Sequence, residues 1–214
     1  MQSTYFDIYR EWQAAPEEFW RRQAETLHWF KPIEKVFDKD QGVYGRWFVG
    51  GETNTCYNCI DRHVSEGRGD QTALIYDSAM NGDKRKYSFD EMLVEVQAIA
   101  AVLRNHGVGK GDRVVIYMPM VPEAVFSMLA CSRLGAVHSV VFGGFAAHEL
   151  AARIDDCGAK VVISASCGLE PGRVVAYKPL LDHALDIAKV KPEFSLILQR
   201  DEQHAALRYD QADD

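Results

Sequence analysis

The run Arg113-Val114-Val115-Ile116-Tyr117-Met118, then Pro122 to Leu134 and Gly135, then Ala136-Val137-His138-Ser139-Val140-Val141-Phe142, decides the fold. The outer pieces are short, apolar and rich in β-branched residues, as strands buried on both faces are. The middle piece carries proline at its start and glycine just past its end, which is how a helix is punctuated. Strand, helix and strand in that order, with both strands apolar on both sides, read as a parallel pair covered by helices on each face.

The alternation continues outward. Ala146 to Cys157 reads as a helix, Lys160 to Ser164 as a third strand, Pro179 to Lys189 as a third helix and Phe194 to Gln199 as a fourth strand. Upstream, Ser88-Phe89-Asp90-Glu91 is a capping box, in which Ser88 accepts from the third helical N–H and Glu91 reaches back. The helix it opens has Met92, Leu93, Val96, Ile99, Ala100 and Leu103 at helical spacing, and Gly107 closes it. Thr72 to Tyr76 and Lys84 to Tyr87 read as a strand pair joined by an Asn81-Gly82 turn. The expected class is therefore α/β, a mostly parallel sheet with helices on both faces.

The first residues follow another pattern. Tyr5 to Trp12 and Pro16 to Trp29 read as two aromatic-rich helical stretches, with Phe19, Trp20, Ala24, Leu27 and Trp29 too many apolar residues for a free helix. They are expected to pack against the rest of the protein. Asp38 to Gly51 reads as a loop, and Asn54 to Ser65 as a helix ended by Gly67 and Gly69. The expected division is a helical extension over 1–66 and an α/β domain over 67–214.

Composition limits the function. The chain has 214 residues, 47% apolar and 26% charged, with a net charge of −7. That acidic balance without a basic block argues against nucleic acid or an anionic membrane as partner. No apolar run is long enough to span a bilayer, and the amino terminus lacks the pattern of a secretory signal. The 5 cysteines are odd in number and fall mostly in apolar segments, which suits a reducing, cytoplasmic setting.

Ligands of such sheets gather at the carboxyl ends of the strands. Two segments there have suggestive chemistry. In Phe142-Gly143-Gly144-Phe145, paired glycines let the backbone approach a ligand before a helix N-terminus, although a tight turn is the commoner reason for Gly-Gly. Ser164 to Arg173 reads as a long polar loop, kinked by Pro171 and Gly172, that presents Arg173 at the same rim. Arg173 is either a phosphate clamp or a solvated surface residue. Together the two segments point to a phosphate-bearing ligand. Cys56-Tyr57-Asn58-Cys59 lacks a second pair for zinc and reads as structural. Asp61-Arg62-His63 reads as a cap or helix-surface ion pair, and Met118-Pro119-Met120 as packing.

Tyr117 to Ala124, running on through Leu134 to Phe145, resembles the acetyl- and propionyl-CoA synthetases of the adenylate-forming superfamily. Pro16-Glu17-Glu18-Phe19-Trp20 and Trp29-Phe30-Lys31-Pro32 are similar to the amino-terminal extension of those enzymes, and Asn54 to His63 to the segment that follows it. Ser164 to Lys178 looks like the propionyl branch. The resemblance implies ATP, Mg2+ and CoA as partners of an intact enzyme that activates a short-chain carboxylate, propionate first, as an acyl-adenylate. For this chain it implies CoA at most. It places Phe142, Gly143 and Gly144 near the CoA adenine. Arg173 matches the second of two arginines that acetyl-CoA synthetases direct at the nucleotide end of CoA, and Glu170 stands where the first would be, with Pro171 and Gly172 between them.

The residues that would wrap ATP in such enzymes are not found in the sequence: no Ser/Thr/Gly-rich loop ending in Lys-Gly and no Tyr-Gly-x-Thr-Glu segment. The chain is therefore expected to be an inactive amino-terminal fragment, with no catalytic or metal-binding residue assigned. The alternative is a free-standing CoA- or nucleotide-binding or interaction module. Surface left open by truncation makes a homodimer an expectation.

Overall fold

The computed structural model describes residues 4–144 and 146–207. Phe145 of the glycine loop and the final Asp213-Asp214 lie outside the described residues. The chain divides into two compact units, residues 1–58 and 59–214.

The first unit begins with helices α1 (Tyr5–Ala14) and α2 (Pro16–Ala24). Thr4 and Asp7 form a capping box on α1, and Pro16 occupies the first turn of α2. Of the apolar residues expected to pack, Phe19 and Ala24 are buried, Trp29 is half-buried, and Trp20 and Leu27 remain exposed; α1 buries none of its residues. The segment read as a loop instead contains a strand. Strands β1 (Lys35–Asp38) and β2 (Arg46–Val49) pair antiparallel, with Lys35 opposite Val49 and Phe37 opposite Trp47. Glycine and charge at 38–46 are the hairpin's tip, while Trp47, Phe48 and Val49 supply an aromatic, β-branched strand too short to stand out from them. The Phe37 and Trp47 rings lie 4.6 Å apart, and Trp29 Nε1 donates to the Ala24 carbonyl at 2.9 Å.

The second unit holds the α/β body. Residues 55–68, which begin in the first unit and end in the second, are helical as expected but wound partly as π-helix, at Tyr57–Asp61 and Val64–Arg68, with Gly67 at φ 78° breaking the last turn. Strands β3 (Thr72–Asp77) and β4 (Lys84–Ser88) form an antiparallel pair. Their connection runs from Ser78 to Asp83 rather than through a two-residue turn, because Ser78 N–H bonds the Asp83 carbonyl and closes a wider loop around Gly82. The Ser88–Glu91 capping box is present, with Ser88 N–H donating to Glu91 at 2.8 Å, and it opens α3 (Phe89–Asn105). Met92, Val96, Ala100 and Leu103 are its buried stripe.

The core sheet contains β5 (Arg113–Met118), β6 (Val137–Phe142), β7 (Val161–Ala165) and β10 (Phe194–Leu198). All pairings in it are parallel, in the order β10-β7-β5-β6. Helices α4 (Pro122–Leu134), α5 (Ala147–Cys157) and α6 (Lys178–Ile187) connect them. The fold is α/β. Val115, Tyr117, Val141, Val162 and Ile197 point to the face where α5 and α6 bury Leu150, Ile154, Leu181 and Ala184. The alternate residues Val114 and Ile116 are also fully buried, and they point to the opposite face. Right-handed crossovers place α4 there, since β5 to β6 and β6 to β7 run in opposite directions along the sheet.

Between β7 and α6 the structure departs from the expected polar loop. Cys167–Glu170 and Arg173–Ala176 are two further strands, β8 and β9, paired antiparallel. Pro171 and Gly172 make the turn: proline fixes φ at the first position and Gly172, at φ 74°, takes the left-handed conformation at the second.

Candidate functional site

Because β5 exits toward α4 while β6 and β7 exit toward the opposite face, the carboxyl ends of these strands diverge and leave a crevice. A groove of about 520 Å3 occupies it. Its walls come from the end of β5 (Met118 to Val121), the end of β6 through Gly144, the β3–β4 loop, the β8–β9 hairpin, Tyr177 and Arg200. The volume falls in the range of small-molecule sites.

Of the residues singled out from sequence, Phe142, Gly143, Gly144, Glu170 and Pro171 line this groove together. Gly172 and Arg173 are not among its lining residues. Gly143 is buried, and Phe142 stands 70% exposed over the opening. Met118-Pro119-Met120, read as packing, is wall instead: Met118 is buried but Met120 projects at 91% exposure. The chain leaves β5 at Pro119, where it can neither extend the strand nor yet begin α4.

The glycines have a steric cause. A side chain at Gly143 would overlap the Tyr177 hydroxyl and sit 3.0 Å from the Met118 carbonyl. One at Gly168 would lie 2.5–2.7 Å from the same Tyr177 ring. Tyr177 is thus a wedge between the β6–α5 loop and the β8–β9 hairpin, stacked on buried Tyr117 with centroids 5.1 Å apart. Burial, then the neighbouring Glu170 charge, pushes its phenol pKa up, while Arg200 acts in the opposite direction. Burial pushes Tyr117 up to about 12.

Arg173 is not a free cation. Register puts it opposite Glu170 across the turn, and Arg173 Nε donates to Glu170 Oε2 at 2.8 Å while Nη2 bonds the same oxygen. The pair is exposed, so it contributes little to stability, but its opposite charges cancel at the hairpin tip. Asp61, from the Asp61-Arg62-His63 triplet, receives both terminal nitrogens of Arg133 at 2.8 Å, which bears out an ion-pair role. Cys56 is buried and Cys59 exposed, and all 5 cysteines are free. Among the described residues, no three of His, Cys, Asp or Glu gather into a metal-binding set.

Comparison with known proteins sets this geometry in a family. The profile of the AMP-binding enzymes matches residues 61–213. The chain belongs to the AMP-binding enzyme family. A second profile, for the acetyl-coenzyme A synthetase N-terminus, matches residues 5–59. Among its relatives, the human mitochondrial acyl-CoA synthetase short-chain family member 3 is 49% identical over 89% of this chain and 28% of that protein. An acetyl-coenzyme A synthetase of Mesorhizobium japonicum is 47% identical over 85% of the chain and 29% of that protein. The propionate–CoA ligase of Escherichia coli is 42% identical over 92% of the chain and 31% of that protein. The chain thus spans under a third of the length of these AMP-binding relatives. The groove described above lies wholly within the part matched by the AMP-binding profile.

Among the lining residues that the sequence reading did not single out are Tyr177 and Arg200. Tyr177 meets Gly143 and Gly168 only in the folded chain, because the two glycines lie far apart in sequence. Arg200 follows a strand with no flanking motif, and nothing local distinguishes it.

Proposed function

We propose that this chain is the part of an acid–CoA ligase that forms the CoA-facing edge of its site, with residues 1–66 as the amino-terminal extension and 67–214 as the first part of the nucleotide-binding domain. In the whole enzyme a carboxylate attacks the α-phosphate of Mg-ATP and releases pyrophosphate, and the CoA thiol then displaces AMP from the acyl-adenylate. Family membership supports the reaction class. The observation that carries the site is the convergence of Phe142, Gly143, Gly144, Glu170 and Pro171 on one groove at the carboxyl edge of the sheet.

Propionate is the proposed acid, supported by the likeness of Ser164 to Lys178 to the propionyl branch. The 214-residue chain alone is proposed to be catalytically inactive. A reducing, cytoplasmic setting is supported by its 5 free cysteines; no helix among the described residues is long and apolar enough to cross a membrane. Edge strand β6 exposes Val137, Val140 and Phe142, which supports pairing with a second copy along that strand.

Calorimetric titration of the purified chain with CoA tests the site, and ATP–pyrophosphate exchange with propionate tests the inactivity. CoA binding without exchange is expected. Exchange above background would refute the inactivity, and a folded sample giving no CoA signal would refute the site.

A further inference from the structure

Helices α5 and α6 pack side by side on one face of the core sheet, and much of their seam is built from small residues. Ala147 and Ala151 of α5 and Ala184 of α6 are buried there with Leu150, Ile154 and Leu181. Small side chains at a contact let two helices approach closely, so short side chains beside the seam can meet across it. Two of these are histidines. His148, in the first turn of α5, and His183, midway along α6, are both exposed, and their ring centroids stand 5.6 Å apart at an interplanar angle of 71°.

This contact differs from the other histidine contacts. His28 rests on Phe30 and Tyr57, His63 on Phe89 and His106 on Phe194, all of which are packing against an aromatic ring. His148 and His183 instead bring two imidazoles together, and each neutral imidazole carries one nitrogen lone pair. The charges beside them on the two helices do not oppose a cation. Asp182 is held by the buried Lys178 ammonium at 2.6 Å, which offsets that charge. Glu149, in the first turn of α5, offsets the positive end of that helix, and the Asp186 carboxylate is exposed one turn beyond His183.

The spacing suits a shared ion. Two imidazoles bound to one tetrahedral metal at about 2.0–2.1 Å hold their centroids about 5 Å apart. Inclined ring planes can direct two lone pairs at one point, whereas parallel rings cannot. The χ2 torsion of histidine is soft, and at the surface either ring can turn a nitrogen inward.

We propose that His148 and His183 form a site for a divalent transition ion of the kind that imidazole prefers, such as Zn2+, with water in the remaining positions. Among the described residues no third His, Cys, Asp or Glu joins them, so the protein grips the ion with two ligands only. The bound ion staples α5 to α6. Because the two ligands are brought together by folding, the ion stabilises the folded chain by mass action. The site shares no residue with the groove at the strand ends.

The test is titration of the full 214-residue chain with Zn2+, in a Cys59→Ser background so that this exposed thiol does not compete. The nitrogen-15 signals of the imidazoles are followed by NMR. The His148 and His183 nitrogens are expected to shift together and to saturate with a single ion per chain. His148→Gln and His183→Gln should each weaken binding at least about tenfold, since even the outer partners of a metal ligand are worth 10–100-fold. The double variant should lose little more, as for two groups that act as one unit. The melting temperature should rise with Zn2+ in the parent chain and not in the double variant. Both histidines are exposed, so these replacements leave the core untouched. A shift at one ring alone, or at neither, would refute the site, as would single variants that bind like the parent. Joint shifts without a rise in melting temperature would refute the staple.

Discussion

The hydroxyl of Tyr177 occupies the space that a side chain at Gly143 would need. Two segments more than thirty residues apart in sequence are fitted to each other at that point. Gly143→Ala should therefore both destabilise the fold and weaken CoA binding, by about 1–3 kcal/mol for overpacking. Tyr177→Phe, which removes the overlapping oxygen, should restore part of the loss. A double-mutant cycle by urea denaturation and CoA titration checks this, and additive effects would show that the two residues are not coupled.

Freeing Arg173 from Glu170 should be visible at Tyr177. The Glu170 charge helps to raise the phenol pKa, so Glu170→Gln should lower it while Arg200→Gln should raise it. Titration of carbon-13-labelled tyrosine rings reads both directions in one experiment.

Arg133 and Asp61 form a bidentate pair whose side chains are largely buried. Asp61→Ala should cost roughly 1–3 kcal/mol, since it removes a bidentate charge-assisted pair between partly buried side chains. Ser88→Ala, which removes the α3 cap, should cost about 1 kcal/mol. Chemical denaturation of each variant measures both, with unchanged slopes as the sign that the folded state is intact.

His138, in β6, is held below its ordinary value of 6.5 by burial. The unfolded chain then binds a proton more readily than the folded one between that depressed value and 6.5, so stability falls as pH drops through this window. His138→Gln should flatten the acid side of the stability profile in that range. An unchanged profile would assign the acid sensitivity to other groups, among them His63, which burial also lowers.

The parallel core was legible because its signals are local and redundant. Pro122 and Gly135 punctuate α4, Ser88 and Glu91 open α3, and the apolar strands between helices admit few other arrangements. The hairpins were harder. Trp47-Phe48-Val49 and Cys167-Gly168-Leu169 are each too short to show a period, and their pairing depends on partners across a turn. Glu170-Pro171-Gly172-Arg173 did contain the answer, because Pro-Gly between two oppositely charged residues is what a tight turn with a cross-strand ion pair requires. The groove residues Phe142 to Gly144 could be placed from strand order alone, whereas Arg200 depends on where β10 ends in space.

The sheet order also constrains when the groove can exist. Strand β5 receives β6 on one side and β7 on the other, and β10 closes the far edge only after the hairpin and α6 have been made. During synthesis the glycine loop emerges well before its opposing wall, and Arg200 comes last of all. The groove is therefore complete only once Arg200 has left the ribosome, more than fifty residues after the glycine loop that forms its opposite wall.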